Sequence, residues 1–196
     1  MHVVLSEYEK QCDLIFIFGD RSVENFYPRF GFVPVQETRF YTSVSVEEST
    51  LFMARKLELS DAGDINILRR LVLERISLSS VFGVENSEGI LAWHCLNVFP
   101  QNLYYIEALD AIIICIVHDH IVDLHDVIAG NRQDLQQILG ALVPSGVFEV
   151  IFHFTPDFEG ASVERKSYEP EDYIFFTRSD TVCLSGEFFF LATAHA

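Results

Sequence analysis

The stretch from Leu14 to Phe32, LIFIFGDRSVENFYPRFGF, decides the reading of the fold. It opens with an unbroken apolar run, Leu14 to Phe18, closed by Gly19 and Asp20. A run of that length without alternation predicts a strand buried on both faces, the parallel-sheet kind. Asp20 or Ser22 can cap a short helix through Phe26, because a side-chain oxygen there accepts from the first free N–H groups. Pro28 ends or kinks that helix. Gly31 then punctuates, and Phe32 to Thr42 resumes in extended form. The unit is strand, short helix, strand.

Before this unit, Met1, Val4, Leu5 and Tyr8 have helical spacing but no capping residue ahead of them. A helix starting at Met1 leaves its first N–H groups unsatisfied and is marginal at this length. The expectation is that a segment is missing upstream. Beyond the unit, Ser43 to Thr50 reads as a polar loop and Leu51 to Leu57 as a strand. Ser60-Asp61-Ala62-Gly63 reads as a helix start, and Ile65, Leu68, Val72 and Ile76 form its apolar face. After a loop from Ser77 to Gly89, strands are expected at Ile90–Leu96, Asn102–Leu109, Ala111–Val117 and Ile121–Ile128. A tight turn at His118-Asp119-His120 joins the last two. Then come a helix at Gln133–Leu142, a strand at Val147–Phe154, a polar loop at Thr155–Asp172, and closing strands at Tyr173–Thr177 and Glu187–Ala192. The pattern is α/β in the α+β mixed-sheet sense, with antiparallel hairpins and at least one strand–helix–strand crossover.

Composition narrows the classes. Of 196 residues 49% are hydrophobic and 21% charged, a globular balance. The 18 Phe and 7 Tyr gather in short runs that suit strands. With 29 acidic against 13 basic residues the formal charge is −16, which repels a phosphate backbone and excludes nucleic acid as a main partner. Basic amines are attracted by the same field. No apolar stretch spans a bilayer and no signal peptide is visible, so the expectation is a cytoplasmic protein without a membrane partner. The four cysteines form no CxxC pair, and Cys12 and Cys115 lie in or beside apolar runs that suit buried thiols.

The segment Leu14 to Phe32 resembles the part of the GCN5-related N-acetyltransferase superfamily that follows its pyrophosphate loop. There a short helix ends in a tyrosine with a Gly-Phe pair four and five residues beyond, a spacing matched by Tyr27, Gly31 and Phe32. The resemblance implies an acyl-CoA N-acyltransferase-like fold and acetyl transfer from acetyl-coenzyme A to an amine, on a small molecule or a peptide. It assigns Tyr27 as the general acid that protonates the departing thiolate, a task within a phenol's reach. Asp20, Ser22 and Asn25 would flank the pantetheine arm. Two departures are visible: Asp20 stands where the family has asparagine, and the glycine-rich loop that cradles the pyrophosphate is absent. Weak or absent acetyl-coenzyme A binding is therefore expected of the chain as given, and an exposed strand edge beside Leu14–Phe18 is expected to favour a homo-oligomer.

The remainder resembles the tandem-domain bacterial branch of the same superfamily. YYIEALDAIIICIVHDHIVDLHDVIAGNRQDLQQIL reads as two antiparallel strands feeding a helix, although the turn Ala129-Gly130-Asn131-Arg132 has a single glycine and is not expected to hold a pyrophosphate. Residues 1–57 are thus expected to be the C-terminal part of a cofactor-binding domain, and 58–196 a second domain of the same kind. The rival reading is a non-catalytic scaffold module that kept the fold and lost the loop. His118, His120 and His125 lie near Asp119, Asp123 and Asp126, but strand alternation sends them to different faces, so no metal site is expected.

Overall fold

The computed structural model describes residues 1–47, 53–158, 162–182, 184 and 186–195. The chain is mixed α/β and divides into two compact units, Met1–Thr38 with Lys166–Glu187, and Arg39–Arg165 with Phe188–Ala196. These units interleave along the chain, whereas the expected domains 1–57 and 58–196 are contiguous.

In the first unit, helix α1 (His2–Tyr8) precedes strand β1 (Ile15–Asp20), two 3-10 turns (Arg21–Val23 and Tyr27–Phe30) and strand β2 (Val33–Pro34). The short helix expected up to Phe26 is replaced by the two 3-10 turns, and Pro28 sits inside the start of the second rather than ending the first. Proline fits there because the opening turn of a helix needs no N–H from it. The β1 segment also departs from expectation. It is not a buried parallel strand: its partner is an antiparallel strand from the far end of the chain, Tyr173–Arg178, with Ile15 opposite Arg178 and Asp20 opposite Tyr173. That late strand also pairs with β2, so it occupies the centre of a three-stranded sheet. Leu5, Phe32 and Phe176 form the core on one face, joined by Ile15, Ile17, Tyr27, Phe30 and Ile174. The opposite face carries Phe16, Phe18, Tyr173 and Phe175, in mutual ring contact.

The larger sheet is seven-stranded and mixed. Its strands are β3 (Glu37–Val46), β4 (Ala54–Lys56), β5 (Leu103–Ile106), β6 (Ala111–His118), β7 (Ile121–Ala129), β8 (Gly146–Phe152) and β9 (Glu164–Tyr168), in the order β4-β5-β6-β7-β8-β3-β9. The central strand of the smaller sheet, Tyr173–Arg178, follows as β10. Helices are α2 (Ala62–Glu74), α3 (Glu88–Trp93) and α4 (Leu135–Leu142). β7 and β8 are parallel and are linked through α4, the expected crossover; β6 and β7 form the expected hairpin. The core is aliphatic, with Leu71, Leu91, Leu103, Ile112, Ile114 and Ile128 all but inaccessible.

The structure corrects four further sequence readings. Ile90–Leu96 is helical, in α3 and a wide turn at His94–Val98. Its buried residues Leu91, His94, Cys95 and Phe99 follow a helical period, which a short apolar run cannot distinguish from a strand. Phe188–Leu191 is not a strand, although all four residues are buried. The Thr155 hydroxyl takes the place of a ladder partner, donating to the Phe189 carbonyl at 3.0 Å and accepting from its N–H at 2.8 Å. The loop expected at Thr155–Asp172 contains β9, and β3 runs on through Val46 where a loop was expected to begin. Residues 48–52, which end that loop and begin the strand expected at Leu51, lie outside the described residues. Ala54–Lys56 of that strand is seen as β4.

Candidate functional site

The residues singled out in the sequence all lie on one segment of the first unit. Asp20 ends β1 and caps the turn after it, accepting from the Ser22 backbone N–H at 2.7 Å. Hydrogen bonds from Ser22 hold its carboxyl below the usual carboxylate range. Asn25 lies between the two turns, and its amide reaches Glu24 at 3.4 Å. Asp20, Ser22 and Asn25 are all exposed.

Tyr27 is half-buried, and its ring is walled by aromatic side chains: Phe26 at 5.3 Å, Phe176 at 5.3 Å and Phe32 at 6.1 Å between centroids. The ring lies directly on β1 at Gly19. A Cβ there would meet Tyr27 Cε2 at 2.6 Å, so only glycine allows this approach. Gly31 closes the turn with φ of 80°, the left-handed conformation that frees Phe32 to drop into the core. The Tyr–Gly–Phe spacing therefore has a local mechanical cause. The turn carries the phenol, the glycine reverses the backbone, and the Phe anchors both.

A second polar feature of this unit was not seen in the sequence. Glu37 is only 2% exposed, and its carboxylate accepts from the Tyr173 hydroxyl at 2.9 Å. The pair lines a cleft of about 350 Å³ together with Arg21, Tyr168, Pro170 and Phe175. Tyr173 and Phe175 project from one face of β10, while Phe176, against which Tyr27 packs, projects from the other. The Tyr27 phenol and the Glu37 carboxylate thus belong to opposite faces of the sheet. No sequence signal joins Glu37 to a tyrosine so far along the chain.

The second unit has its own polar cluster. His153 bonds Asp123 at 2.8 Å, and the His125 ring stacks on His153 at 4.0 Å and lies tilted against Phe99 at 4.6 Å. Burial, and then the neighbouring His153, push His125 down to about 3. The hydrogen bond from His153 lowers Asp123. Both ring nitrogens of His125 are buried without a hydrogen-bond partner among the described residues. Asp123 and His125 share a strand face, as alternation requires, but His153 joins them only through the parallel β7–β8 register. His120 lies against Phe148, and Asp126 turns into the core, where it pairs with Arg75 at 3.1 Å. Among the described residues no three His, Cys, Asp or Glu side chains are arranged to hold a metal ion.

The N-termini of the longer helices are already filled. Asp61 caps α2 by accepting from Asp64 N–H at 3.0 Å, and Asp134 caps α4 by accepting from Gln137 N–H at 2.9 Å. The turn before α4 therefore presents a carboxylate where a phosphate cradle would need open donors. Cys95 and Cys115 are buried, with thiols pushed up to about 12 by burial. Cys12, expected to be buried, is exposed, because it follows α1 at the surface and donates to the Tyr8 carbonyl at 3.2 Å. Cys183 lies outside the described residues. Among the described residues no helix is long and apolar enough to cross a membrane.

No family model and no curated protein matches this chain. Among solved structures it is similar to the crystal structure of a GCN5-related N-acetyltransferase from Sphaerobacter thermophilus, at 10% identity and a TM-score of 0.34, over 85% of this chain and 59% of that one. The chain thus spans less than two thirds of that protein's length.

Proposed function

We propose that the chain is part of an N-acetyltransferase that moves an acetyl group from acetyl-coenzyme A to an amine, with Tyr27 as proton donor to the departing thiolate. The observation that carries this reading is the construction around Tyr27. A strand ending in Gly19 and Asp20, a turn bearing the phenol, and a left-handed Gly31 before a buried Phe32 give the tyrosine a fixed seat. A phenol has one O–H to donate, and a thiolate leaving a tetrahedral intermediate is a suitable acceptor. Asp20, Ser22 and Asn25 are exposed on the same segment and would border the pantetheine arm. The acidic surface, at −16, suits a cationic acceptor.

A second reading, a non-catalytic module with this fold, is favoured by the helix termini. Asp61 and Asp134 occupy the N-termini of α2 and α4, so neither offers open N–H groups to a pyrophosphate. The two readings separate in one assay. Free thiol released from acetyl-coenzyme A, raised to concentrations that offset the weak binding expected of this chain, is followed with the protein and a panel of primary amines, small and peptidic. Amine-dependent release supports the transferase, and release no faster than without protein supports the module.

A further inference from the structure

The buried ion pair of the second unit leaves much of its arginine unused. Arg75 donates from Nη1 to Asp126 at 3.1 Å, and its side chain is only 7% exposed. Its Nε and Nη2 are closed to solvent and have no hydrogen-bond partner among the described residues. These two nitrogens carry the parallel N–H groups along one edge of the guanidinium, the fork that matches the two oxygens of a carboxylate. Buried donors on a charged group are costly to leave unmade, so an open fork calls for an acceptor. Asp126 is already shared, since it also accepts from the Val127 N–H and the Thr193 hydroxyl.

Arg75 is also one wall of a pocket of about 340 Å³ within the same unit, a size suited to a small molecule. Val72, Ile76 and Val84 supply apolar lining, and Glu85 and Glu88, both exposed, supply an acidic side. We propose that this pocket binds a small aliphatic α-amino acid. Its carboxylate takes the Arg75 fork, its ammonium lies toward Glu85 and Glu88, and its side chain packs on Val72, Ile76 and Val84. Charge selects the zwitterion. Asp126 already balances Arg75, and two further carboxylates line the pocket, so a bare carboxylate is repelled and a phosphate more so. An ammonium on the same molecule removes that repulsion. Because the fork is closed to solvent, the pocket wall must part for the ligand to reach it. None of these residues belongs to the Tyr27 segment, so the site is independent of acetyl transfer.

Isothermal titration calorimetry of the full chain tests this with L-leucine, leucinamide and isocaproate. Leucinamide keeps the ammonium and lacks the carboxylate; isocaproate is the reverse. L-leucine is expected to bind, and each analogue should bind about tenfold more weakly or worse. Arg75→Lys keeps a cation for Asp126 but has no fork, so its affinity for L-leucine should fall about tenfold or more with far-ultraviolet circular dichroism unchanged. Joint Glu85→Gln and Glu88→Gln substitution, at exposed positions, serves as a second variant should Arg75→Lys fail to fold. It should reverse the preference, so that isocaproate binds at least as tightly as L-leucine. A wild type that gives no heat with L-leucine or L-valine across the millimolar range would overturn the proposal and leave the Arg75 donors to buried water. So would leucinamide binding as tightly as L-leucine, a folded Arg75→Lys protein that binds L-leucine like the wild type, or an unchanged preference in the doubly substituted protein.

Discussion

The two units solve the problem of a stable sheet differently. The second buries an aliphatic core and sets an ion pair inside it. Arg75 and Asp126 lie 3.1 Å apart with side chains 7% and 0% exposed, and Asp126 also accepts from Val127 N–H and the Thr193 hydroxyl. The first has three strands and a small core, half aromatic and half aliphatic, whose shape depends on two glycines. The lesson is that the unit carrying the candidate site is held by fit, and the other by burial and a non-local charge pair.

That contrast can be broken experimentally. The largest effect is expected from Asp126→Ala. Removing one partner strands a buried guanidinium and should cost about 3–5 kcal/mol, read from urea unfolding. Replacing both residues with apolar side chains of similar volume should recover most of that. Gly19→Ala should cost the first unit about 1–3 kcal/mol, because the new methyl overlaps the Tyr27 ring. Hydrogen exchange should report the loss at β1 and β10 and leave β6 and β7 unchanged. Gly31→Ala should cost about 1–2 kcal/mol through its positive φ. Equal loosening of both units by any of these variants would break the contrast.

Acid should act on the second unit with a smaller slope. His125 titrates near 3 in the fold against an ordinary value of 6.5, so between those limits the unfolded chain binds a proton that the folded chain does not. Stability is then fully present above pH 6.5 and falls as pH drops toward 3, by at most about 1.4 kcal/mol per pH unit for this one proton. Asp123, lowered by His153, adds a loss in the same direction as it protonates. His125→Phe should flatten the upper part of the profile. An unchanged profile in that variant would exclude His125 as the cause.

Much of the local architecture was legible in the sequence, because capping, glycine punctuation and periodicity are local. The caps at Asp20 and Asp61, the β6–β7 hairpin and the α4 crossover follow from residues within a few positions of each other. The failures concern partners distant in sequence. β1 looked like a central parallel strand because periodicity reports burial and not which strand supplies it; the supplier is β10. Glu37 with Tyr173, and Asp123 with His153, are joined only by tertiary register. Phe188–Leu191 had strand composition, but a side chain, Thr155, took the ladder's place.

The central claim is that Tyr27 donates the proton to the leaving thiolate. The most direct measurement is thiol release from acetyl-coenzyme A with a saturating amine, wild type against Tyr27→Phe, over a range of pH. The account predicts a loss of about 10² to 10⁴-fold in turnover with the fold and cofactor affinity retained. Turnover of Tyr27→Phe at the wild-type rate across that range would contradict it.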